Sequence, residues 1–177
     1  MKDASTLESS AVLQVASQMA AAARTAPKTR GRDNIRFFAV DDPETQDAIT
    51  KKMVQVGKRD NRPSMVRDAK TIAAAPVWLV IGVASNPAEL EGCGFCGKET
   101  CDDLVKSGGV CAFNSIDLGI AACSAASIAS QNRVDSRIMF SLGKACLELK
   151  LFSADVKQAV GIPLSVTGKS PFFDRAS

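Results

Sequence analysis

Apolar residues recur at four-residue intervals near the start of the chain, where Leu7, Ala11, Val15, Met19 and Ala23 form a stripe opposite Glu8, Gln14 and Gln18. That period predicts an amphipathic helix over 5–24. Ala26-Pro27 through Gly31 is a polar, basic loop, and Asn34 to Val40 reads as a strand. Asp42 followed by Pro43 is a helix start, since Pro suits the first helical position, and Ala48, Ile49, Met53 and Val56 face inward to about Lys58. A shorter helix is predicted from Ser64, with Arg67, Asp68 and Lys70 on a solvated face.

The continuous apolar run Val77 to Val83 follows Pro76 and is rich in β-branched residues, which predicts a central strand covered on both faces. From Ser85 to Gly109 the pattern breaks into Gly, Cys and polar residues, the composition of a ligand-binding loop. Residues 115–131 then read as a helix rich in Ala, Ser, Cys and Gly, expected to be central and tightly packed. Arg137 to Leu142 reads as a short strand, 143–151 as a helix and Val160 to Val166 as a last strand. No internal repeat or low-complexity linker interrupts the chain. These elements predict one α/β (α+β) domain over 1–177, a central sheet flanked by helices.

Composition narrows the chemistry. With 46% hydrophobic and 23% charged residues the chain has the make-up of a globular domain, and 5% aromatic content with no Tyr predicts a core of Ala, Val, Ile and Leu. The net charge of +3 is spread without a basic arm or stripe, which argues against nucleic acid as a partner. There is no His, so His-based nucleophilic catalysis and His-bearing zinc sites are excluded. The Ala11–Ala23 stretch lacks the basic leader of a signal peptide, and no later segment is expected to span a membrane. The expected setting is the reducing cytoplasm, where cysteines serve as metal ligands or buried thiols rather than disulfides.

Four of the six cysteines fall together as Cys93-x2-Cys96-x4-Cys101-x9-Cys111, interleaved with glycines, over a loop taken as 88–112. A [4Fe-4S] cluster needs one thiolate per iron from a chain that wraps round it, and glycines allow the turns. Backbone amides in such a loop, with Lys98 and Lys106, would favour the cluster's negative charge. Structural zinc is the alternative, although zinc more often takes two Cys-x2-Cys pairs and only one is present. Cys123 and Cys146, among small and apolar residues, read as buried thiols, with a reactive or resolving thiol as the alternative. Asp117 reads as a helix cap or salt-bridge partner, or as a residue orienting a group beside the cluster.

Several segments together resemble a family of uncharacterised prokaryotic proteins containing a ferredoxin domain. They are Ala23 to Arg30, Arg67 to Lys70, Cys93-Gly-Phe-Cys-Gly97, Cys111 to Ile120, Val134 to Arg137 and Gly161 to Ser165. That resemblance implies an iron–sulfur site. The opening Cys-x2-Cys-x4-Cys is also similar to the cluster segments of corrinoid iron–sulfur proteins and electron-transport complex subunits, which have a longer gap before the fourth cysteine. A further resemblance, carried by Asp117-Leu-Gly-Ile-Ala121 and Thr25-Ala-Pro27, is to flavin-dependent nitroreductases, without the paired arginines expected at that family's start. It implies a nitroreductase-like fold and FMN as a cofactor, whose phosphate would fall to Arg24, Lys28 and Arg30; a solvated basic loop is the other reading of those residues.

The expected function is electron transfer or redox chemistry by a cluster on Cys93, Cys96, Cys101 and Cys111. A flavin-dependent reductase carrying a cluster, and a structural zinc protein, are the alternatives. The expected partner is a redox protein or a small electron donor or acceptor, with no membrane, and self-association is compatible with this reading. Asp174-Arg175 are expected to pair with the body of the domain.

Overall fold

The computed structural model of the chain describes residues 1–173; Asp174 and Arg175 lie outside the described residues. The chain runs α1 (Ala4–Thr25), a single 3-10 turn (Thr29–Gly31), β1 (Ile35–Val40), α2 (Pro43–Arg59), α3 (Pro63–Ile72) and β2 (Val77–Ala84). It continues through α4 (Cys101–Lys106), α5 (Ala112–Gln131), β3 (Asp135–Ser136), α6 (Phe140–Glu148) and β4 (Val156–Ser165). The strands form one sheet in the order β1-β2-β4-β3, antiparallel at every pair.

All eight residues of β2 are buried, because side chains alternate across a strand and helices cover both faces. Val77, Leu79, Ile81 and Val83 enter one core with Val12, Val15, Met19 and Ala23 of α1 and Ala121, Ala125 and Ala129 of α5. Trp78 and Val80 enter the other with Ile49 and Met53 of α2, Ile72 of α3 and Leu142, Ala145 and Cys146 of α6. The result is three layers, helix–sheet–helix. The small residues of α5 let it lie close against both α1 and the sheet.

Several expectations are corrected. The stripe of α1 turns inward only from Val12, and Leu7 and Ala11 are exposed. Ala48 is exposed on the first turns of α2. Asp68 is buried, its carboxylate accepting from the Ser141 hydroxyl at 2.7 Å and from the Arg67 guanidinium at 2.9 Å, which ties α3 to α6. Of the strand expected over Arg137 to Leu142, only a bridge between Met139 and Gly161 forms, and helix α6 begins at Phe140. Apolar residues at Leu142, Ala145 and Cys146 there repeat at helical, not strand, spacing. The last strand starts at Val156, four residues early. Helix α5 is buried along one face only and leaves Ile116, Ile120 and Cys123 exposed. Among the described residues α5 also has the length and composition to cross a membrane, contrary to expectation, and 39% of that window is buried in this fold.

Candidate metal centre

The cysteine loop leaves the end of β2, the most buried strand, and is held at its stem from three sides. Asn114 of α5, 2% exposed, accepts from the Asn86 N–H at 3.1 Å. The Arg30 guanidinium donates to the Ala88 and Glu89 carbonyls, both at 3.0 Å. Arg32 reaches the Glu89 carboxylate at 2.9 Å. These contacts fix where the loop begins relative to the helix on which it ends.

Within the loop, backbone conformation follows the glycines. Gly94 and Gly97 lie at φ 55° and 78°, the left-handed region that costs glycine nothing, and each follows a cysteine. The Gly97 N–H closes a turn on the Gly94 carbonyl at 2.8 Å. With the chain so bent, the Phe95 N–H donates to Cys93 Sγ at 3.4 Å. Helix α4, missed by the sequence pattern, starts at Cys101: the Thr100 hydroxyl accepts from the Asp103 N–H at 3.1 Å and donates to the Asp103 carboxylate at 2.7 Å. Gly109 then folds back with its N–H on the Leu104 carbonyl at 3.1 Å. Cys111 is the N-cap of α5, where its carbonyl accepts from the Asn114 N–H at 2.9 Å and its side chain makes no cap bond.

All four sequence-predicted thiols line one cavity of about 480 Å³. Cys93 is exposed, Cys96 and Cys101 half-buried and Cys111 buried, so the ring of sulfurs runs from solvent to the protein wall. Ala88, Leu104 and Cys111 form a small apolar floor against which Cys96 and Phe113 pack. The Phe95 and Phe113 rings lie 5.3 Å apart at the mouth. Glu89, Glu91, Glu99 and Asp102 line the same cavity with Lys98, Glu89 is paired with Arg32 outside the wall, and Lys106 does not line it. The start of the twenty-residue α5, its positive dipole end, lines the cavity at Cys111, Ala112 and Phe113. Among the described residues, no three Cys, Asp or Glu are drawn together tightly enough to hold a single metal ion.

The other candidates are placed elsewhere. Cys146 is buried in the α6 core, where desolvation pushes its thiol up to about 12, as expected of an inert thiol. Cys123 is exposed on α5, against expectation, because it lies on the helix face turned away from α1 and the sheet. In the basic loop, each cation already has protein acceptors. Arg24 pairs with Asp33, donates to the Ile35 carbonyl at 3.1 Å and lies 4.6 Å over the Phe37 ring. Burial would raise the Asp33 carboxyl, but its bonds from Arg24 and the Ile35 amide, with the charges of Arg24 and Lys28, outweigh that and hold it below its usual value. Lys28 donates to the Ala23 and Ala26 carbonyls at 3.1 and 2.7 Å, closing the C-terminal end of α1. Arg30, at φ 56°, points instead to the cysteine-loop stem.

Among the described residues, Asp117 neither caps its own helix nor pairs with an arginine. Only 3% exposed, its carboxylate accepts from the Thr29 N–H at 3.0 and 3.2 Å and from the Thr29 hydroxyl at 2.9 Å. One α5 residue therefore holds the turn that presents Arg30 to the cysteine loop. The sequence offers Asp117 as a residue orienting a group beside the cluster but does not reveal Thr29 as its partner, nor the roles of Asn114 and Arg32, because each depends on a contact across tens of residues. The acidic rim was visible in principle, since Glu89, Glu91, Glu99, Asp102 and Asp103 crowd the loop with one Lys among them.

Comparison with known proteins gives a family and a fold. Residues 107–175 match a family model described as "Uncharacterized protein containing a ferredoxin domain (DUF2148)"; that span contains Cys111 but not Cys93, Cys96 or Cys101. A protein of Archaeoglobus fulgidus, described as an uncharacterized protein, is 38% identical over 168 residues, covering 89% of this chain and 88% of its own. Among solved structures, a nitroreductase with bound FMN from Desulfitobacterium hafniense superposes with a TM-score of 0.62 at 14% identity, over 88% of this chain and 78% of that one. A BluB-like flavoprotein from Clostridium difficile gives 0.59 at 16% identity, over 93% and 83%. At such identities the likeness shows the nitroreductase-like fold and nothing of the chemistry. By sequence, the chain belongs to the family of uncharacterised proteins containing a ferredoxin domain.

Proposed function

We propose that the chain holds a [4Fe-4S] cluster on Cys93, Cys96, Cys101 and Cys111 and serves a redox role by one-electron transfer. The observation that carries this is the arrangement of the four thiols round a single cavity. In a cubane each iron takes one thiolate, so the ligands stand apart around a body of some size. A single zinc would require the same four sulfurs to converge on one tetrahedron. The donor set fits: four sulfurs, an amide already directed at Cys93 Sγ, and the amino end of α5 facing the site. A bound cluster supplies one-electron chemistry there.

The chain's own residues account for the surroundings. Leu104, Ala88 and Phe113 keep water from the inner side, while exposed Cys93 and Phe95 leave the outer side open to a partner. Negative charge on Glu91, Glu99 and Asp102 favours the oxidised, less negative state of any cluster and a partner with a basic face. The members of the fold that carry FMN supply a second reading, a flavin reductase, but Arg24, Lys28 and Arg30 are already engaged with protein acceptors.

Protein prepared without oxygen and assayed for iron, sulfide and zinc tests the proposal. Four irons and four sulfides per chain are expected, with Cys111→Ser leaving a labile, iron-poor cluster and Cys96→Ser doing greater damage. One zinc with no iron or sulfide would end the electron-transfer reading.

A further inference from the structure

A second cavity, of about 550 Å³, lies where the α2–α3 turn, α5, α6 and the start of β4 meet. Its chemistry is the opposite of the first. Arg62, Lys144 and Lys157 line it, and the one carboxylate in its wall, Asp60, is already bonded to Arg59 at 2.6 Å. Lys144 is paired with Glu148 at 3.0 Å, but neither Arg62 nor Lys157 has a carboxylate within ion-pair distance among the described residues. Arg62 acts on Asp60 and Lys157 on Asp155 without direct ion pairs, and three cations in the wall against Asp60 leave a net positive field that an anion would neutralise.

Apart from Ser115 and Gln158, the remaining surface is apolar. Met65, Leu118 and Leu147 contribute to it, and Phe140, 55% exposed, presents its ring with the Arg62 guanidinium 5.7 Å from the centroid. A half-bare aromatic ring beside a cation suits a flat, apolar body carrying negative charge, since the ring can stack while the guanidinium and ammonium take the anionic group. A small inorganic anion would leave the apolar wall wet; a neutral hydrophobe would leave the cations without partners.

We propose that this cavity binds a planar organic anion, an aromatic ring system bearing a carboxylate or phosphate. The placement joins it to the cysteine cavity. Ser115, in its wall, lies four residues beyond Cys111 on α5, about 6 Å along the axis. The Ser115 hydroxyl is fixed by a 2.8 Å bond to Gln158 on β4. The two cavities thus share one helix, with thiol ligands at its start and an organic anion on its next turn. The relevance of that adjacency to electron transfer rests on the cluster reading; the binding itself does not.

The test is calorimetric titration of the anaerobically prepared full chain with 2-naphthoate, 1-naphthyl phosphate and uncharged 2-naphthalenemethanol, with iron and sulfide assayed in the same sample. At least one anion is expected to bind ten or more times tighter than the alcohol, and the preferred one tells carboxylate from phosphate. Arg62→Ala and Lys157→Ala are each expected to weaken the anion about tenfold and leave the alcohol unchanged, while Phe140→Ala weakens all three. Arg62 and Lys157 are exposed, so neither change threatens the fold. Equal binding of the alcohol and both anions, variants that bind as wild type, or no binding by any of the three at millimolar concentration would overturn the proposal. Missing iron in a sample that still binds the anion would sink the cluster reading alone.

Discussion

Replacing Asp117 tests whether the cysteine loop is positioned through the basic loop. Its carboxylate receives both the amide and the hydroxyl of Thr29. Removing the Thr29 hydroxyl alone, Thr29→Ala, should cost about 1.5 kcal/mol, the net worth of one bond to a charged acceptor. Asp117→Ala removes both bonds, each made to a charged acceptor and so worth about 1.5 kcal/mol or more, for a loss of about 3 kcal/mol. The melting temperature should fall by about 6–12 °C, given about 2–4 °C per kcal/mol for a chain of this size. Once Asp117 is gone the hydroxyl has no partner, so the double variant should be no worse than Asp117→Ala, with a coupling of about 1.5 kcal/mol. Urea unfolding of all four proteins, without oxygen, measures the cycle. Hydrogen exchange should quicken at 86–93 in Asp117→Ala, because the turn carrying Arg30 is no longer held. Single-variant losses that simply add, or unchanged exchange in the loop stem, would refute the linkage.

Three further outcomes are expected. Cys123→Ala and Cys146→Ala should retain full iron, and in the native protein an alkylating reagent should take Cys123 quickly while Cys146 reacts only on unfolding; a loss of a quarter of the iron in either variant would mean a wrong ligand set. Glu148, held down to about 2 first by its hydrogen bond from Arg59 despite burial, and then by Lys144, adds stability that is fully present above its ordinary value of 4.5 and lost as pH falls toward 2. Because the group is near solvent, Glu148→Gln should cost only about 0.5–1 kcal/mol at pH 7 and nothing at pH 2, which urea titrations at both pH values would show. Micromolar FMN should give no rise in melting temperature that depends on Arg30, and a clear rise that Arg30→Ala abolishes would favour the flavin reading.

The parts of the fold legible in sequence are those fixed by local period or by a cap. The β2 run, Asp42-Pro43 and the small-residue helix all appear where expected. Failures occur where a local pattern has two solutions. Met139 to Leu142 is apolar enough for a strand, yet α6 forms because Leu142, Ala145 and Cys146 can then meet Trp78 and Val80 across the sheet. Asp68, charged and flanked by Arg67 and Lys70, has a surface look, and its burial is made tolerable by Arg67 together with Ser141, 73 residues away. Cys123 fails for a geometric reason: α5 has so little polar contrast round its circumference that sequence cannot say which side faces out.

The site divides along the same line. Which cysteines come together was readable, because turns at the glycines and the start of a helix keep Cys93, Cys96, Cys101 and Cys111 within one short loop. How that loop is held was not. Its stem depends on Arg30, Arg32, Asn114 and Asp117, which reach across 28 to 88 residues, and none carries a local signature. The consequence is physical. The loop packs little apolar surface of its own beyond Ala88, Leu104 and Phe113, so its position is set by polar contacts to α5 and to the turn before β1. Helix α5 is the common element: its first residues cap the cysteine loop, Asn114 and Asp117 fasten the two loops beside it, and Ser115 faces the second cavity. A change on that helix should therefore be felt at both cavities, while changes on the outer turns of α1, where Leu7 and Ala11 are exposed, should be felt at neither.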